Sequence, residues 1–190
     1  MIGKLFVISA PSGAGKTTLV DTVLKSVGNK YALKRVITYT SRVPRPGEEN
    51  TKDYYFISES AFKAKIDQGF FLEYSTVYGT YYGSPRSIIE DLKRGISYFL
   101  ILDRRGLEQI IDIFTDLVSI WVSVDVDILK QRLMMRNSET QSQIEHRLLL
   151  AQKELELEQT YSLYNHHIFN NNLQKAAISL EALLEKYFNF

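Results

Sequence analysis

Near the start of the chain a short apolar run, a glycine-rich break and a helix follow one another directly, and this succession constrains the fold most. Lys4-Leu5-Phe6-Val7-Ile8-Ser9-Ala10 reads as a buried strand. Pro11-Ser12-Gly13-Ala14-Gly15 breaks it. From Lys16 the apolar positions Leu19, Val20, Val23, Leu24 and Val27 follow helical spacing, and Gly28-Asn29 ends the helix. The stretch from Ala10 to Thr17 fits the pattern of a phosphate-binding loop, with Ala10 where that pattern usually has its first glycine. Glycines let the backbone curl until several N–H groups face one anion, and the helix adds its positive end. Lys16 is expected to reach the β- and γ-phosphates of a nucleoside triphosphate, and the Thr17 hydroxyl to ligate Mg²⁺. Ser12, Gly13, Ala14, Gly15 and Thr18 complete the expected cradle. By itself such a loop leaves GTPases, ATPases and kinases open.

Further along, strand-like and helical stretches alternate. Arg35 to Tyr39 and Tyr54 to Ile57 read as strands, separated by a loop rich in proline, glycine and charge. Ser58 or Ser60 caps a short helix that stops at Gly69. Phe70 to Val77 and Tyr81 to Gly83 form a hairpin through Gly79-Thr80. Then come a helix over Pro85 to Arg94, a strand over Ile96 to Leu102, a helix over Leu107 to Ile113 and a strand over Leu117 to Val122. Asp127 caps a helix to about Arg136, and a polar break at Asn137-Ser138 precedes a long helix through Gln159. His167 to Phe169 is a last short strand, and Leu173 to Phe188 the closing helix. Strands alternating with helices imply a parallel sheet covered on both faces.

Composition narrows the function classes. The 190 residues suffice for one compact domain. Lys plus Arg number 23 against 22 Asp plus Glu, so the basic residues act locally, and neither nucleic acid nor membrane is an expected partner. The absence of cysteine excludes disulfides, thiolate chemistry and sulfur-rich metal sites. Without a leader-like start or a membrane-length apolar run, the expected compartment is the cytoplasm. His146, His166 and His167 lack metal-ligand spacing and read as exposed helix-end residues.

The acceptor side is carried by Thr40-Ser41-Arg42-Val43-Pro44-Arg45-Pro46-Gly47-Glu48 and by Lys52-Asp53-Tyr54-Tyr55-Phe56. Together with Ser9 to Gly13, Phe71-Leu72-Glu73 and Gly79-Thr80-Tyr81-Tyr82-Gly83-Ser84, this order of motifs closely resembles the guanylate kinases over essentially the whole chain. The resemblance implies an α/β phosphate-loop (P-loop) NTPase fold, a parallel sheet flanked by helices, within a single domain. Its core is expected over about 1–33, 84–124 and 159–190. A β-rich GMP-binding lobe is expected over about 34–83 and a helical lid over about 125–158. It further implies transfer of the γ-phosphate of ATP to GMP, and to dGMP, with Mg²⁺.

By the same resemblance Arg42 and Arg45 bind the GMP phosphate, and the Tyr54 and Tyr82 hydroxyls donate to it. Arginine suits this task because its planar fork makes paired charge-assisted bonds to phosphate. Glu73 accepts from the guanine N1–H and 2-amino group, a donor pair that adenine lacks. Thr38 and Ser84 touch the guanine, with Gly83 beside them. In the lid, Arg136 and Arg147 contact the phosphates and Arg132 is a third candidate. Asn170 matches a position close to the adenine of ATP.

Four departures from the family stand out. Aligned on Gly106, Asp103 matches the second aspartate of a Leu-Asp-aliphatic-Asp run, while Ile101 replaces the first; a local shift would instead give Asp103 the first role. In either register an acid at the end of a buried strand beside the loop suits an outer-shell Mg²⁺ ligand. Met135-Arg136-Asn137 replaces Gly-Arg-Gly, and Asn171-Asn172 replaces two acids. Arg105 in place of glutamine leaves open a kinase for another acceptor. A non-catalytic module binding phosphorylated protein segments is a second alternative, although such modules typically lack the intact loop seen here.

Overall fold

The computed structural model describes residues 2–77, 79–135 and 141–189. In chain order the first half contains β1 (Leu5–Ser9), α1 (Lys16–Val27), β2 (Leu33–Arg35), β3 (Tyr39–Thr40), β4 (Tyr55–Phe56), α2 (Glu59–Asp67), β5 (Phe71–Val77) and β6 (Thr80–Pro85). The second half contains α3 (Ile88–Lys93), β7 (Ser97–Ile101), α4 (Arg104–Ile110), β8 (Val118–Ser123), α5 (Val126–Met134), α6 (Gln141–Thr160), β9 (His166–Phe169) and α7 (Leu173–Phe188).

β1 is buried at every position and occupies the centre of a five-stranded sheet ordered β2-β7-β1-β8-β9. All of its pairings are parallel, so each strand must return by a crossover, and helices cover both faces. The two-residue period of β1 divides the core. Phe6 and Ile8 pack with Leu19 and Val23 of α1 and Leu180 and Leu184 of α7. Leu5 and Val7 face the other way, onto Leu92 of α3, Leu107 and Ile110 of α4 and Trp121.

A second, four-stranded sheet ordered β4-β3-β6-β5 lies between β2 and α3 in the chain. Its β5–β6 hairpin turns at Gly79, whose φ of 74° favours glycine. α2 closes one side of it, stacking Phe62 on Phe71 with ring centroids 4.4 Å apart.

Local differences from the sequence reading have physical causes. The run Arg35 to Tyr39 is not one strand, because the chain changes sheets within it. Val36 N still donates to Phe99 O of the parallel sheet, whereas Thr38 O already accepts from Tyr55 N of the second. Pro85 ends β6, and the helix after it starts only at Ile88. Asp125, not Asp127, stands at the N-cap of α5; its carboxylate accepts from Asn171 Nδ2 at 2.6 Å rather than capping the helix. His166 and His167 belong to β9 and are engaged, by Tyr187 and by Glu158. α7 has the bounds read from the sequence, with the Asn172 side chain accepting from Lys175 N.

Candidate active site

The C-terminal ends of β1, β2 and β7 open into a cleft whose far wall is the second sheet. From the β1–α1 connection Ser12, Gly13, Gly15, Lys16, Thr17 and Thr18 line it. The bend into α1 depends on Gly15, which holds φ at 84°, and a Cβ there would stand 2.9 Å from Asn170 Nδ2. Ala10, by contrast, is not among the positive-φ residues, so the missing first glycine imposes no strain on the loop. No side chain caps α1 and no acid stands in its first turn, which keeps its positive end facing the cleft. Lys16 Nζ donates to the Ala10 carbonyl at 2.6 Å and the Pro11 carbonyl at 3.3 Å, curled over its own loop.

The loop is braced from behind. Asn170 Nδ2 and Arg132 Nη1 both donate to Ala14 O, at 2.7 and 3.2 Å, and Arg132 Nη2 reaches Asn170 O at 2.7 Å. Ala14, Arg132 and Asn170 therefore stand beside the cleft rather than in its lining. Asn170 Oδ1 is buried with no hydrogen-bond partner among the described residues.

At the opposite end lies Glu73, on β5. It sits on the edge strand of its sheet, where a charge would ordinarily face water, yet it is only 3% exposed. Burial pushes its carboxyl up to about 7; the 2.5 Å hydrogen bond donated by Ser84 Oγ pulls the other way, and the Asp103 charge adds to the rise. Gly106 leaves room for this carboxylate, since a Cβ at that position would stand 2.8 Å from Glu73 Oε2. Asp103 caps α4 by accepting from Gly106 N at 2.7 Å while lining the cleft beside Ile101 and Leu102. Thr38 and Gly83 complete this end.

Arg45, Tyr54 and Tyr82 also line the cleft. Burial raises the Tyr54 hydroxyl above its ordinary range, keeping it a hydrogen-bond donor. Arg42 is nearby but not in the lining: its Nη2 donates to Glu48 at 2.8 Å and its Nη1 to Val43 O at 2.8 Å. Glu48 also accepts from Arg45 N at 2.7 Å, so one carboxylate ties the two arginine positions together. Burial works against the Glu48 charge, but the bonds from Arg42 and Arg45 outweigh it and lower its pKa.

α6 contributes one side of the cleft lining. Arg147 and Glu154, two turns apart on one face, both line it, and Arg147 Nη1 reaches Ser12 Oγ at 3.3 Å. Desolvation raises the Glu154 carboxyl, against the pull of the Lys16 charge. Arg136 lies outside the described residues.

Sequence reasoning thus brought most of the lining to one place but missed Arg35 and Glu154, and assigned Glu48 no role. Arg35 looked like an ordinary strand residue, and Glu154 like one charge on a long helix. Only the cleft at the end of β2, and the face that Glu154 shares with Arg147, separates them from surface charge.

The guanylate kinase family model matches residues 2–187. The chain belongs to the guanylate kinase family. It is 41% identical over 183 residues to the guanylate kinase of Protochlamydia amoebophila, covering 96% of this chain and 90% of that relative. To the guanylate kinase of Wolbachia sp. subsp. Brugia malayi it is 37% identical over 187 residues, 97% of this chain and 93% of the relative. In three dimensions it resembles the crystal structure of guanylate kinase from Anaplasma phagocytophilum with a TM-score of 0.80. That match covers 98% of this chain and 87% of the other at 24% identity, which shows the shared fold. The fold is accordingly the P-loop α/β one, a parallel sheet flanked by helices with a second sheet set into it.

Proposed function

We propose that this guanylate kinase family member transfers the γ-phosphate of ATP to GMP, and to dGMP, yielding ADP and GDP or dGDP. One observation carries the reading: a phosphate loop with Lys16 and a buried carboxylate, Glu73, line one cleft together with Arg45, Tyr54 and Tyr82. The loop takes the triphosphate. Glu73, held by Ser84, takes the guanine N1–H and 2-amino donors, and a base without that pair leaves the carboxylate unmatched. The residues between 34 and 83 serve as the acceptor-binding lobe, with Arg42, Arg45, Tyr54 and Tyr82 gripping the GMP phosphate. Residues 125–158 serve as the lid.

The acceptor phosphate oxygen attacks the γ-phosphorus in line, the bond to the β–γ bridging oxygen breaks, and ADP leaves with that electron pair. No side-chain nucleophile takes part. Catalysis comes from alignment and from fixed positive charge: Lys16 and Arg147 from the ATP side, Arg42 from the acceptor side, and Arg136 from the lid. Closure of α6 excludes the water that would otherwise accept the phosphate. The base of ATP is assigned to the side of the loop braced by Arg132 and Asn170, where Asn170 Oδ1 has an unused lone pair.

The residues present fit Mg²⁺ that arrives with ATP. The cleft offers the Thr17 hydroxyl and the Asp103 carboxylate, and among the described residues there is no cluster of three or more acidic, histidine or cysteine ligands. An ion that keeps several waters and takes most other ligands from phosphate needs no more than this. When bound it neutralises charge on the β- and γ-phosphates. Among the described residues no helix is long and apolar enough to cross a membrane.

The test is an acceptor panel. Protein supplied with Mg-ATP is given GMP, dGMP, AMP and UMP in parallel, and diphosphate formation is followed. GDP and dGDP are expected with little product from the other two. No GDP, or a preference for a base other than guanine, would overturn the reading.

A further inference from the structure

Arg35 is the cation of the cleft that no site motif accounts for. It ends β2, and its side chain is only 13% exposed. Three of its five N–H groups bind partners in two different parts of the molecule. Nε meets Asp21 Oδ1 at 3.1 Å, on α1, the helix that the phosphate loop starts. Nη2 and Nη1 donate to the carbonyls of Lys52 and Asp53, at 2.9 and 3.3 Å. Those two peptides lead directly into Tyr54, whose side chain faces the cleft.

The segment before Tyr54 needs such an anchor. Thr51 carries φ of 69°, a left-handed conformation unfavourable for a β-branched residue, so this turn persists only if its surroundings hold it. Asp53 holds it locally by accepting from Glu49 N at 2.8 Å, a bond within the same loop. Arg35 supplies the bond that leaves the loop and reaches the parallel sheet and α1. A planar guanidinium can span two successive carbonyls and a carboxylate at once, which a lysine ammonium at the end of a flexible stem cannot do with the same fixed geometry.

We infer that Arg35 is a positioning residue for acceptor binding: its fork ties the turn before Tyr54 to Asp21 of the phosphate-loop helix and so sets the acceptor-phosphate pocket in register with the ATP site. The inference rests on the GMP-kinase reading and deepens it. It also makes the acceptor pocket and the loop helix two ends of one strut, so that displacement of either is felt at the other.

The test uses the full chain and its Arg35→Lys, Arg35→Met and Asp21→Asn variants, with titration of GMP alone, steady-state kinetics and thermal melts. Wild-type turnover reports on the function; GMP binding by the variants, which needs no turnover, reports on the strut. Both Arg35 variants are expected to weaken GMP binding and raise the GMP KM about tenfold, the scale of one lost charged hydrogen bond, with the KM for ATP within about twofold. Asp21→Asn, a change at a more exposed side chain, is expected to move GMP binding in the same direction by less. Three outcomes overturn the inference while wild-type turnover upholds the function. In the first, GMP binding is unchanged in both Arg35 variants. In the second, Arg35→Lys restores binding in full while Arg35→Met does not, which would make the residue a simple charge. In the third, both KM values and kcat decline together in step with a lowered melting temperature, the mark of a merely structural role.

Discussion

Glu73 is where recognition is set against stability. An unfolded chain ionises this carboxyl near 4.5, whereas the folded protein holds the proton until about 7. Between these values the native state binds the extra proton, so the group's favourable contribution is complete below 4.5 and is lost as pH rises through 7. The ionised form in the empty site costs on the order of 3 kcal/mol. In the proposed site only the ionised form would accept from both guanine donors, so GMP affinity is expected to weaken as pH falls below about 7, approaching tenfold per unit. The phosphate of GMP titrates in the same region, and Glu73→Gln separates the two effects. Its amide oxygen still accepts from Ser84, but its NH2 opposes the guanine donors. The variant is expected to bind GMP at least about tenfold more weakly than wild type near pH 8, and to lose the steep dependence. It is also expected to melt higher than wild type near pH 8, with the gain fading toward pH 5. Titration calorimetry and melts across this range check both. A variant that melts no higher near pH 8 would mean that the buried charge is not strained.

At the scale of elements, what could be read depended on whether a segment carries its own instructions. α7 does: Asn172 accepts from Lys175 N, and Ala176, Ala177, Leu180, Leu183 and Leu184 form its buried stripe. Asn172→Ala is expected to cost about 1 kcal/mol, seen as a fall of roughly 2–4 °C in thermal melts with the GMP KM unchanged. The loop from Gly13 to Thr17 was equally legible, because its glycines, lysine and threonine stand in series. Arg35 to Tyr39 was not. Its β-branched and aromatic residues suit a strand throughout, but the choice of sheet is made by partners far away in sequence, Phe99 for Val36 and Gly83 for Tyr39. The site follows the same division. Lys16 and Glu73 stand in recognisable runs, whereas Glu154 gains its place from a helix face, and Arg35 from the space between two sheets.

At the scale of the whole molecule, the proposed closure depends on how α6 is attached. It runs for 20 residues, yet the residues buried along it are Ile144, Ala151 and Glu158, one at each seven-residue step. So thin a stripe leaves most of the helix exposed, as the proposed lid role would require. Its last contact is polar. Glu158 is 4% exposed and receives Arg104 Nη1 at 3.0 Å, Ser162 Oγ at 2.8 Å and Leu163 N at 3.2 Å, with His167 Nε2 at 3.1 Å. One carboxylate thus pins the foot of α6 to the start of α4 and to β9, while Arg147 and Glu154, farther up the helix, face the cleft. Glu158→Ala would leave those donors without their acceptor. Arg104 keeps Tyr161 O and Glu108 and is 23% exposed, so water relieves part of the loss. The expected cost is about 2 kcal/mol in urea melts, with Glu158→Gln, which retains one acceptor oxygen, costing less. Because the loosened foot carries Arg147 with it, kcat is expected to fall several-fold in Glu158→Ala while GMP affinity, set in the other lobe, changes little. Unchanged stability and turnover in Glu158→Ala would show that the apolar contacts at Ile144 and Ala151 alone suffice to seat α6.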